Sequence, residues 1–453
     1  MNIIILAAGQ GTRMHSTLPK VLQPLAGRPM LAHVLEACAG LNAASVHIVV
    51  GHGADVVRKS FAGENICWVE QAQRLGTGHA VAQALPALSG DDSALILYGD
   101  VPLVLPETLR SLVTAADGKH LALLTTSVDN PTGYGRIVRN NKNQVTCIVE
   151  EKDASNAERQ ITEINTGLIA CPVRLLKEWV DKLSDDNAQR EYYLTDIVSM
   201  AVDDGLSVKT AAPESAVETL GINNKRQLAQ VESELRQRNA NALLDAGVTL
   251  VDPARIDVRG RLECGRDVTI DINAVFEGDV KLDDNVSIGP NCYIRDSQIE
   301  QDCQVLANTL IDNAHVGPRS TIGPFARLRP ETFLGSEVKI GNFVEVKKSA
   351  IGKGSKVSHL SYIGDTKIGK DVNVGAGTIT CNYDGVNKHR TVIGNNVFIG
   401  SGTELVAPVR IGADATIGAG STITKDAPAG QLTVARERQS TIKGWKKPKK
   451  KAK

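Results

Sequence analysis

Between Ile270 and Ile423 the hydrophobic pattern repeats every six residues. Aliphatic or aromatic side chains stand at Ile270, Phe276, Leu282, Ile288 and Ile294, then after a five-residue step at Ile299, Val305 and Ile311. The run resumes at Val316, Ile322, Leu328, Leu334, Ile340 and Val346, then Ile351, Val357 and Ile363, then Ile368 and Val374. It closes on Ile393, Ile399, Leu405, Ile411, Ile417 and Ile423. An amphipathic helix repeats near 3.6 and a half-buried strand near 2, so neither alone accounts for sixes. Short strands joined by tight turns do, when they stack as coils that are each too small to bury their apolar side alone. Gly directly follows the aliphatic residue at Gly289, Gly323, Gly400, Gly412 and Gly418, as at a corner with no room for a Cβ. This half is expected to form a parallel β-helix of roughly eight coils at about 4.8 Å each.

The first half has a different rhythm. Ile3 to Leu6 is a continuous apolar run, the mark of a buried parallel strand, and it enters Ala7-Ala8-Gly9-Gln10-Gly11 at once. Pro29 to Gly40 predicts a helix with Met30, Val34, Leu35 and Ala37 on its apolar face, and Val46 to Val50 the next strand. A further strand, Ala94 to Tyr98, stops at Gly99-Asp100. This alternation argues for an open α/β sheet. Asn223-Asn224 introduces a helical pattern up to about Ala246, with Leu228, Val231, Leu235 and Leu243 as its stripe and Gly247 as its stop. The expected organisation is an α/β domain over 1–223, a helical arm over 224–247 and the β-helix over 248–453.

Composition narrows the function classes. The 453 residues carry 51 basic and 51 acidic side chains, so binding to nucleic acid by overall charge is not indicated. The lysine-dense end from Lys443 to Lys453 is expected to be a solvated tail. The eight cysteines are dispersed without a CxxC pair, which suits a reducing cytosol and signals neither a zinc knuckle nor a redox motif. No signal peptide is expected, since the opening apolar run is too short, and no stretch approaches membrane-spanning length.

Candidate chemistry gathers at element ends. The loop from Ala7 to Met14 is rich in small residues, so its backbone N–H groups can approach phosphate, with Arg13 and Lys20 adding charge. It is neither a Walker loop nor a full dinucleotide fingerprint. Gln71 to His79, containing Gly76-Thr77, is a second small-residue loop that could hold a base or sugar. Asp100 follows a strand at its carboxyl end, where α/β sheets place ligands; it is either a hard oxygen ligand for Mg2+ or a cap on the turn. Gly135, Glu150 and Asn165 also fall at element ends, and each could belong to an ordinary turn. In the second half, Arg327 and Arg329 flank Leu328, Lys347 and Lys348 follow Val346, and His359, Ser361 and Tyr362 precede Ile363. The sharpest break in the period, Thr380 to Lys388, is expected to leave the coils as a loop.

Leu6-Ala7-Ala8-Gly9-Gln10-Gly11-Thr12-Arg13-Met14, followed by Leu18-Pro19-Lys20, resembles the signature of sugar-1-phosphate nucleotidyltransferases. Joined to a hexapeptide-repeat half, the chain closely resembles the bacterial N-acetylglucosamine-1-phosphate uridyltransferase/glucosamine-1-phosphate N-acetyltransferase family over nearly its whole length. Gly76-Thr77, Tyr98-Gly99-Asp100, Gly135, Glu150, Asn165 and Asn223 fall where that family has them. The resemblance implies a Rossmann-like first half in which Leu6, Ala7, Ala8 and Gly9 line the nucleotide and Gln71, Gly76 and Thr77 lie near uracil. It further implies that Arg13 and Lys20 neutralise the triphosphate of UTP, that Asp100 and Asn223 carry Mg2+, and that Gly135, Glu150 and Asn165 hold N-acetylglucosamine 1-phosphate. Gln10 departs from the Lys the family often has.

For the second half the resemblance implies acetyl transfer from acetyl-CoA to glucosamine 1-phosphate. An amine must attack as the free base, so a proton acceptor near neutral pKa is useful, and His359 is the candidate. Arg329 and Lys347 are implied for the sugar phosphate, Tyr362 and Asn373 for the sugar, and Asn382 and Tyr383 for a site between neighbouring subunits. Ala376, Ser401 and Ala419 are implied to flank acetyl-CoA. Arg436 is preferred over Arg438 for the CoA phosphates, although a proline expected at Arg438 is missing. The resemblance also implies a left-handed β-helix, a homotrimer, a cytoplasmic location and a product used in cell-wall synthesis. A single-function nucleotidyltransferase with a regulatory β-helix, as in ADP-glucose pyrophosphorylases, and a purely scaffolding β-helix stay open as alternatives. His359, Lys347, Tyr362 and the Asn382-Tyr383 loop discriminate, because a structural stack has no need of them.

Overall fold

The computed structural model describes residues 1–448. The chain divides into two compact units, Met1–Leu235 and the remainder from Arg236. The 21-residue helix Lys225–Asp245 runs across that division. Asn224 caps it, its side-chain oxygen accepting from the Gln227 amide at 2.9 Å.

In the first unit, Asn2–Ala7 is buried along its length and pairs in parallel with Ser45–Val50 on one side and Ser93–Tyr98 on the other. Cys67–Glu70 extends the sheet beyond Ser45–Val50. On the far side, Glu163–Pro172 lies antiparallel to both Ser93–Tyr98 and Ala122–Ser127. The chain thus leaves Asn2–Ala7 toward one edge and returns on its other side at Ser93–Tyr98. That reversal opens a crevice beyond the carboxyl ends of those two strands, the usual ligand position in such sheets. Helices cover both faces over two separate cores. Asn165-Thr166-Gly167 lies inside the Glu163–Pro172 strand rather than ahead of it, at an irregularity where pairing with Ala122–Ser127 shifts register. Gly167, at φ 86°, permits that kink.

The second unit is a stack of parallel strands. One face is an 11-stranded sheet from Thr249–Leu250 to Leu432–Thr433, and a 17-stranded sheet supplies the alternating strands of the other faces. Eleven levels exceed the eight expected: nine fall within the sixfold run and one at each end lies outside it. All 25 residues of the repeat are at most 3 % exposed. Each inward Ile, Leu or Val contributes about 1.5–3 kcal/mol on removal from water. The Gly residues after the aliphatic positions lie against the next coil: a Cβ on Gly400 would come 2.4 Å from the Ala419 nitrogen, and one on Gly412 2.4 Å from the Ala429 nitrogen.

The corners themselves use a signal the hydrophobic period does not contain. Asn273, Asn285, Asn291 and Asn308 take φ values of 58–60°, in the left-handed region that Asn tolerates. Some of these side chains also join neighbouring coils, as Asn273 does by donating to Asn291 at 2.8 Å. The break in the period starts later than expected. Ile379–Cys381 is still a strand, and Thr380 occupies an interior position with its hydroxyl donating to the Gly364 carbonyl at 3.2 Å. The loop therefore leaves the coils at Asn382. Of the lysine-dense end, residues 449–453 lie outside the described residues.

Candidate functional site

The crevice of the first unit is a cavity of about 260 Å³. Ten of the expected residues line it: Leu6, Ala7, Ala8, Gly9, Lys20, Gln71, Gly76, Thr77, Tyr98 and Asp100. Three loops build the wall. The backbone at Gly9 leaves open space where a Cβ would stand. At Gly76, φ 116°, a Cβ would meet the Tyr192 carbonyl oxygen at 2.5 Å, so the 71–79 loop can press against residues 191–192 only without one. Two backbone bonds fix that contact, Tyr192 N–H to the Leu75 carbonyl at 2.7 Å and Gly78 N–H to the Tyr192 carbonyl at 2.8 Å. Gln71 is buried and donates to the Gly76 carbonyl at 3.1 Å. Arg74 and Glu191 also line the cavity, and no motif had marked them.

One end of the cavity is a charge knot. The Lys20 ammonium pairs with Asp100 Oδ2 and donates to Asn223 Oδ1 at 2.8 Å. Arg13 donates to that same Asn223 oxygen at 3.0 Å. Two side-chain oxygens therefore converge on one cation, and both are the hard donors a divalent ion takes. Among the described residues no group of three or more His, Cys, Asp or Glu is arranged for a metal. These two oxygens fit Mg2+, which keeps waters and accepts substrate phosphate oxygens, and do not form an all-protein cage.

Tyr98 links this knot to a second group. Burial, and after it the charges of Glu150 and Asp100, push its phenol above its usual range, so at neutral pH it keeps its proton. Glu150 is also pushed up, first by burial and then by Asp196 and Asp153, while the Thr195 hydroxyl, donating to Oε1 at 3.0 Å, opposes the rise. A Cβ on Gly135 would lie 3.4 Å from that Glu150 oxygen, and the Gly135 carbonyl accepts from the Asn165 amide at 2.9 Å. Gly135, Glu150 and Asn165 are thus brought together beside Tyr98, and Gly99 sits under the crevice against Val21 and Ala7. Next to this group, buried Arg136 donates to Glu151 at 2.6 Å.

In the second unit the expected residues form two groups. Ala376, Ser401 and Ala419 occupy equivalent places on successive coils: the Gly402 amide donates to the Ala376 carbonyl at 2.7 Å and the Gly420 amide to the Ser401 carbonyl at 2.8 Å. Arg436 ends this row, its guanidinium donating to the Ala419 carbonyl. His359 lies one coil before, its carbonyl accepting from the Gly377 amide at 3.3 Å. Its Nδ1 is 2.8 Å from Asn342 Oδ1, one coil earlier and in register with it. Against an oxygen acceptor Nδ1 carries the proton, which leaves a lone pair on Nε2.

The other group is cationic. Lys347 is pushed below its usual value, chiefly by contact with the Lys388 side chain, then by desolvation and by the charges of Lys388 and Arg329, with Asp365 opposing. Arg329 itself donates to Glu345 at 2.7 Å. Lys388 comes from the extruded loop, whose root is fixed where buried Asn382 donates to Asp365 and where the His389 amide donates to the Asn382 carbonyl at 2.8 Å. His389 pairs with Asp384 at 2.7 Å, while Tyr383 is exposed. Tyr362 is in register with Glu345, the partner of Arg329. Asn373 lies on a different sheet, in register with Lys356 and Phe398. No hydrogen bond among the described residues joins His359 to the Lys347 group.

Family profiles agree with this division. That of the MobA-like NTP transferase domain matches residues 3–161. That of the GMPPB C-terminal domain matches 258–342 and 310–403, and that of the bacterial transferase hexapeptide, six repeats, matches 390–425. Among curated relatives, the "Bifunctional protein GlmU" of Marinobacter nauticus is 56% identical over 450 residues, covering 99% of each chain. That of Azoarcus sp. is 57% identical over 449 residues with the same coverage, and that of Aromatoleum aromaticum 57% identical over 452 residues, covering 100% of this chain and 99% of its own. With such identity along its full length, the chain belongs to the bifunctional GlmU family.

Proposed function

We propose that the chain is a bifunctional enzyme of UDP-N-acetylglucosamine synthesis, with a uridyltransferase domain over 1–223, an arm over 224–247 and an acetyltransferase domain over 248–453. The observation that carries this reading is that each unit holds its own group of polar residues. The first has the Lys20–Asp100–Asn223 knot at a cavity, and the second has His359 with a free Nε2 beside the Ala376–Ser401–Ala419 row. A solenoid that served only as a scaffold needs neither His359 nor the three crowded cations.

In the second unit, the amine of glucosamine 1-phosphate attacks the acetyl carbonyl carbon. The C–N bond forms, the C–S bond breaks and CoA leaves as its thiolate, which then takes up a proton to give the thiol. His359 Nε2 takes the amine proton, and Asn342 holds the imidazole in the required tautomer. Arg329, Lys347 and Lys388 receive the sugar phosphate, which relieves the mutual repulsion of the three cations. Tyr362 and Asn373 position the sugar. Ala376, Ser401 and Ala419 leave room for the thin cofactor arm, with Arg436 at its phosphates. The exposed Tyr383, on the loop that leaves the coils, supports a site completed between subunits of a homotrimer.

In the first unit, a phosphate oxygen of N-acetylglucosamine 1-phosphate attacks the α-phosphorus of UTP and pyrophosphate leaves. Such transfer needs positioning and charge neutralisation rather than a covalent intermediate. Leu6 to Gly9, Gln71, Gly76 and Thr77 hold the nucleoside end, Arg13 and Lys20 face the phosphates, and Gly135, Glu150 and Asn165 hold the acetylated sugar. Asp100 and Asn223 would hold Mg2+, which would supply neutralisation of phosphate charge.

No helix among the described residues is long and apolar enough to cross a membrane. The eight dispersed, free cysteines support a reducing compartment such as the cytoplasm. The test is to incubate glucosamine 1-phosphate, acetyl-CoA, UTP and Mg2+ with the protein. The expected products are CoA, pyrophosphate and UDP-N-acetylglucosamine in equal amounts. UDP-N-acetylglucosamine formed only from pre-acetylated sugar would overturn the bifunctional reading.

A further inference from the structure

Four charged side chains line the nucleotide cavity: Lys20, Arg74, Asp100 and Glu191. Lys20 is committed to Asp100. Arg74 is different, because its Nη1 donates at 2.9 Å to the side-chain oxygen of Gln10, a neutral group. The two residues come from different loops, and only Arg74 lines the cavity itself. Gln10 lies in the small-residue loop after the first strand, and Arg74 lies in the loop that leads to the helix at Thr77. Both are exposed, so the pair bridges the two nucleotide loops at solvent level.

A charged guanidinium held by a neutral amide is poised for exchange. Its bond to a phosphate oxygen is charge-assisted and roughly twice as strong as a neutral one, and its fork can take two oxygens at once. The bond to Gln10 also restricts a side chain that otherwise loses considerable rotamer entropy on binding, so the cation is held where it is needed. Gly9, directly before Gln10, leaves open space at this edge of the cavity.

We propose that Arg74 is a binding residue for the phosphate chain of the nucleotide, held at the cavity's solvent edge by Gln10 and transferred to phosphate oxygens when the nucleotide enters. This rests on the uridyltransferase reading above. Gln10 acts as a positioning residue, and it supplies an acceptor rather than a charge.

The test compares Arg74→Gln and Gln10→Met in the full chain by steady-state uridylyl transfer. Arg74→Gln is expected to raise KM for UTP about tenfold or more, as befits loss of a charge-assisted contact. KM for N-acetylglucosamine 1-phosphate and inhibition by uridine, which has no phosphate, should stay within twofold. Gln10→Met keeps the charge but releases the guanidinium, and is expected to raise KM for UTP about two- to threefold, less than Arg74→Gln. Acetyl transfer reports that each variant is folded. A KM for UTP within twofold of wild type in Arg74→Gln overturns the proposal. So does weakened uridine inhibition to the same degree, which would assign Arg74 to the base. Equal effects of the two substitutions would make the pair a structural strap and overturn it as well. Wild-type protein that forms no UDP-sugar would instead remove the uridyltransferase reading, and this inference with it.

Discussion

Replacing Asp100 with Asn separates the stability role of the charge knot from its role in the reaction. Asp100 and Lys20 are 21% and 10% exposed at their side chains, so the pair is only partly screened by solvent. Asn keeps an oxygen acceptor in place, and the ammonium keeps its bond to Asn223 Oδ1 at 2.8 Å. The buried cation is therefore not orphaned. The loss is the difference between a charge-assisted and a neutral hydrogen bond, about 1–1.5 kcal/mol. In a unit of this size that lowers the melting temperature by about 2–6 °C. The reaction loses far more, because the substitution removes the carboxylate from the pair of oxygens assigned to Mg2+. Uridylyl transfer should fall by about 10²–10³-fold, the scale seen when one preorganised electrostatic partner is removed. The assay is pyrophosphate release at saturating Mg2+, alongside a thermal melt and acetyl transfer from acetyl-CoA. Acetyl transfer should stay within twofold. Uridylyl transfer within threefold of wild type would refute the assignment of Asp100, and parallel loss of both activities would refute the small stability cost.

Three further outcomes follow from the same geometry. His359→Gln keeps a polar side chain but no base, so acetyl transfer should drop about 10²–10⁴-fold with uridylyl transfer intact; a drop under fivefold would remove His359 as the base. Glu150 is already raised by burial and the Thr195 hydroxyl holds it down, so the acid limb of kcat/KM for N-acetylglucosamine 1-phosphate should lie above the ordinary carboxylate range. Thr195→Val should push that limb to higher pH, since activity that needs the carboxylate is lost as pH falls through the raised value; an unmoved or lowered limb contradicts this. A Cβ at Gly341 would stand 1.9 Å from the Ser358 carbonyl oxygen, so Gly341→Ala should cost about 2–3 kcal/mol and disturb the neighbouring Asn342–His359 pair. Unfolding in urea measures the first effect, and an unchanged midpoint would contradict it.

The inward stack of the β-helix was legible because one apolar residue per six is a local signal, and every position named from Ile270 to Ile423 is buried. The additional coils at each end were not, because Leu250 stands outside the regular run and the last coil places polar Thr433 in register with Ile417. The left-handed Asn corners and the late start of the loop at Asn382 were also missed, since Thr380 is polar by type yet interior by its hydrogen bonds. The cavity was legible mainly through family resemblance; spacing alone marked Asp100 as either a ligand or a cap. Arg74, Thr195, Asn342 and Lys388 carry no motif. Each acquires meaning from a partner distant in sequence: Gln10, Glu150, His359 and Lys347 lie 64, 45, 17 and 41 positions away respectively. The spacing of 17 between Asn342 and His359 is one coil, so that pair becomes visible once the coil length is known.

The central claim is that the second unit is an enzyme in its own right. The most direct measurement is release of free CoA thiol from acetyl-CoA and glucosamine 1-phosphate with no nucleotide present. Rapid release that depends on the amino sugar is predicted. No release, from protein that still makes UDP-N-acetylglucosamine from UTP and N-acetylglucosamine 1-phosphate, would contradict the account and reduce the β-helix to a scaffold.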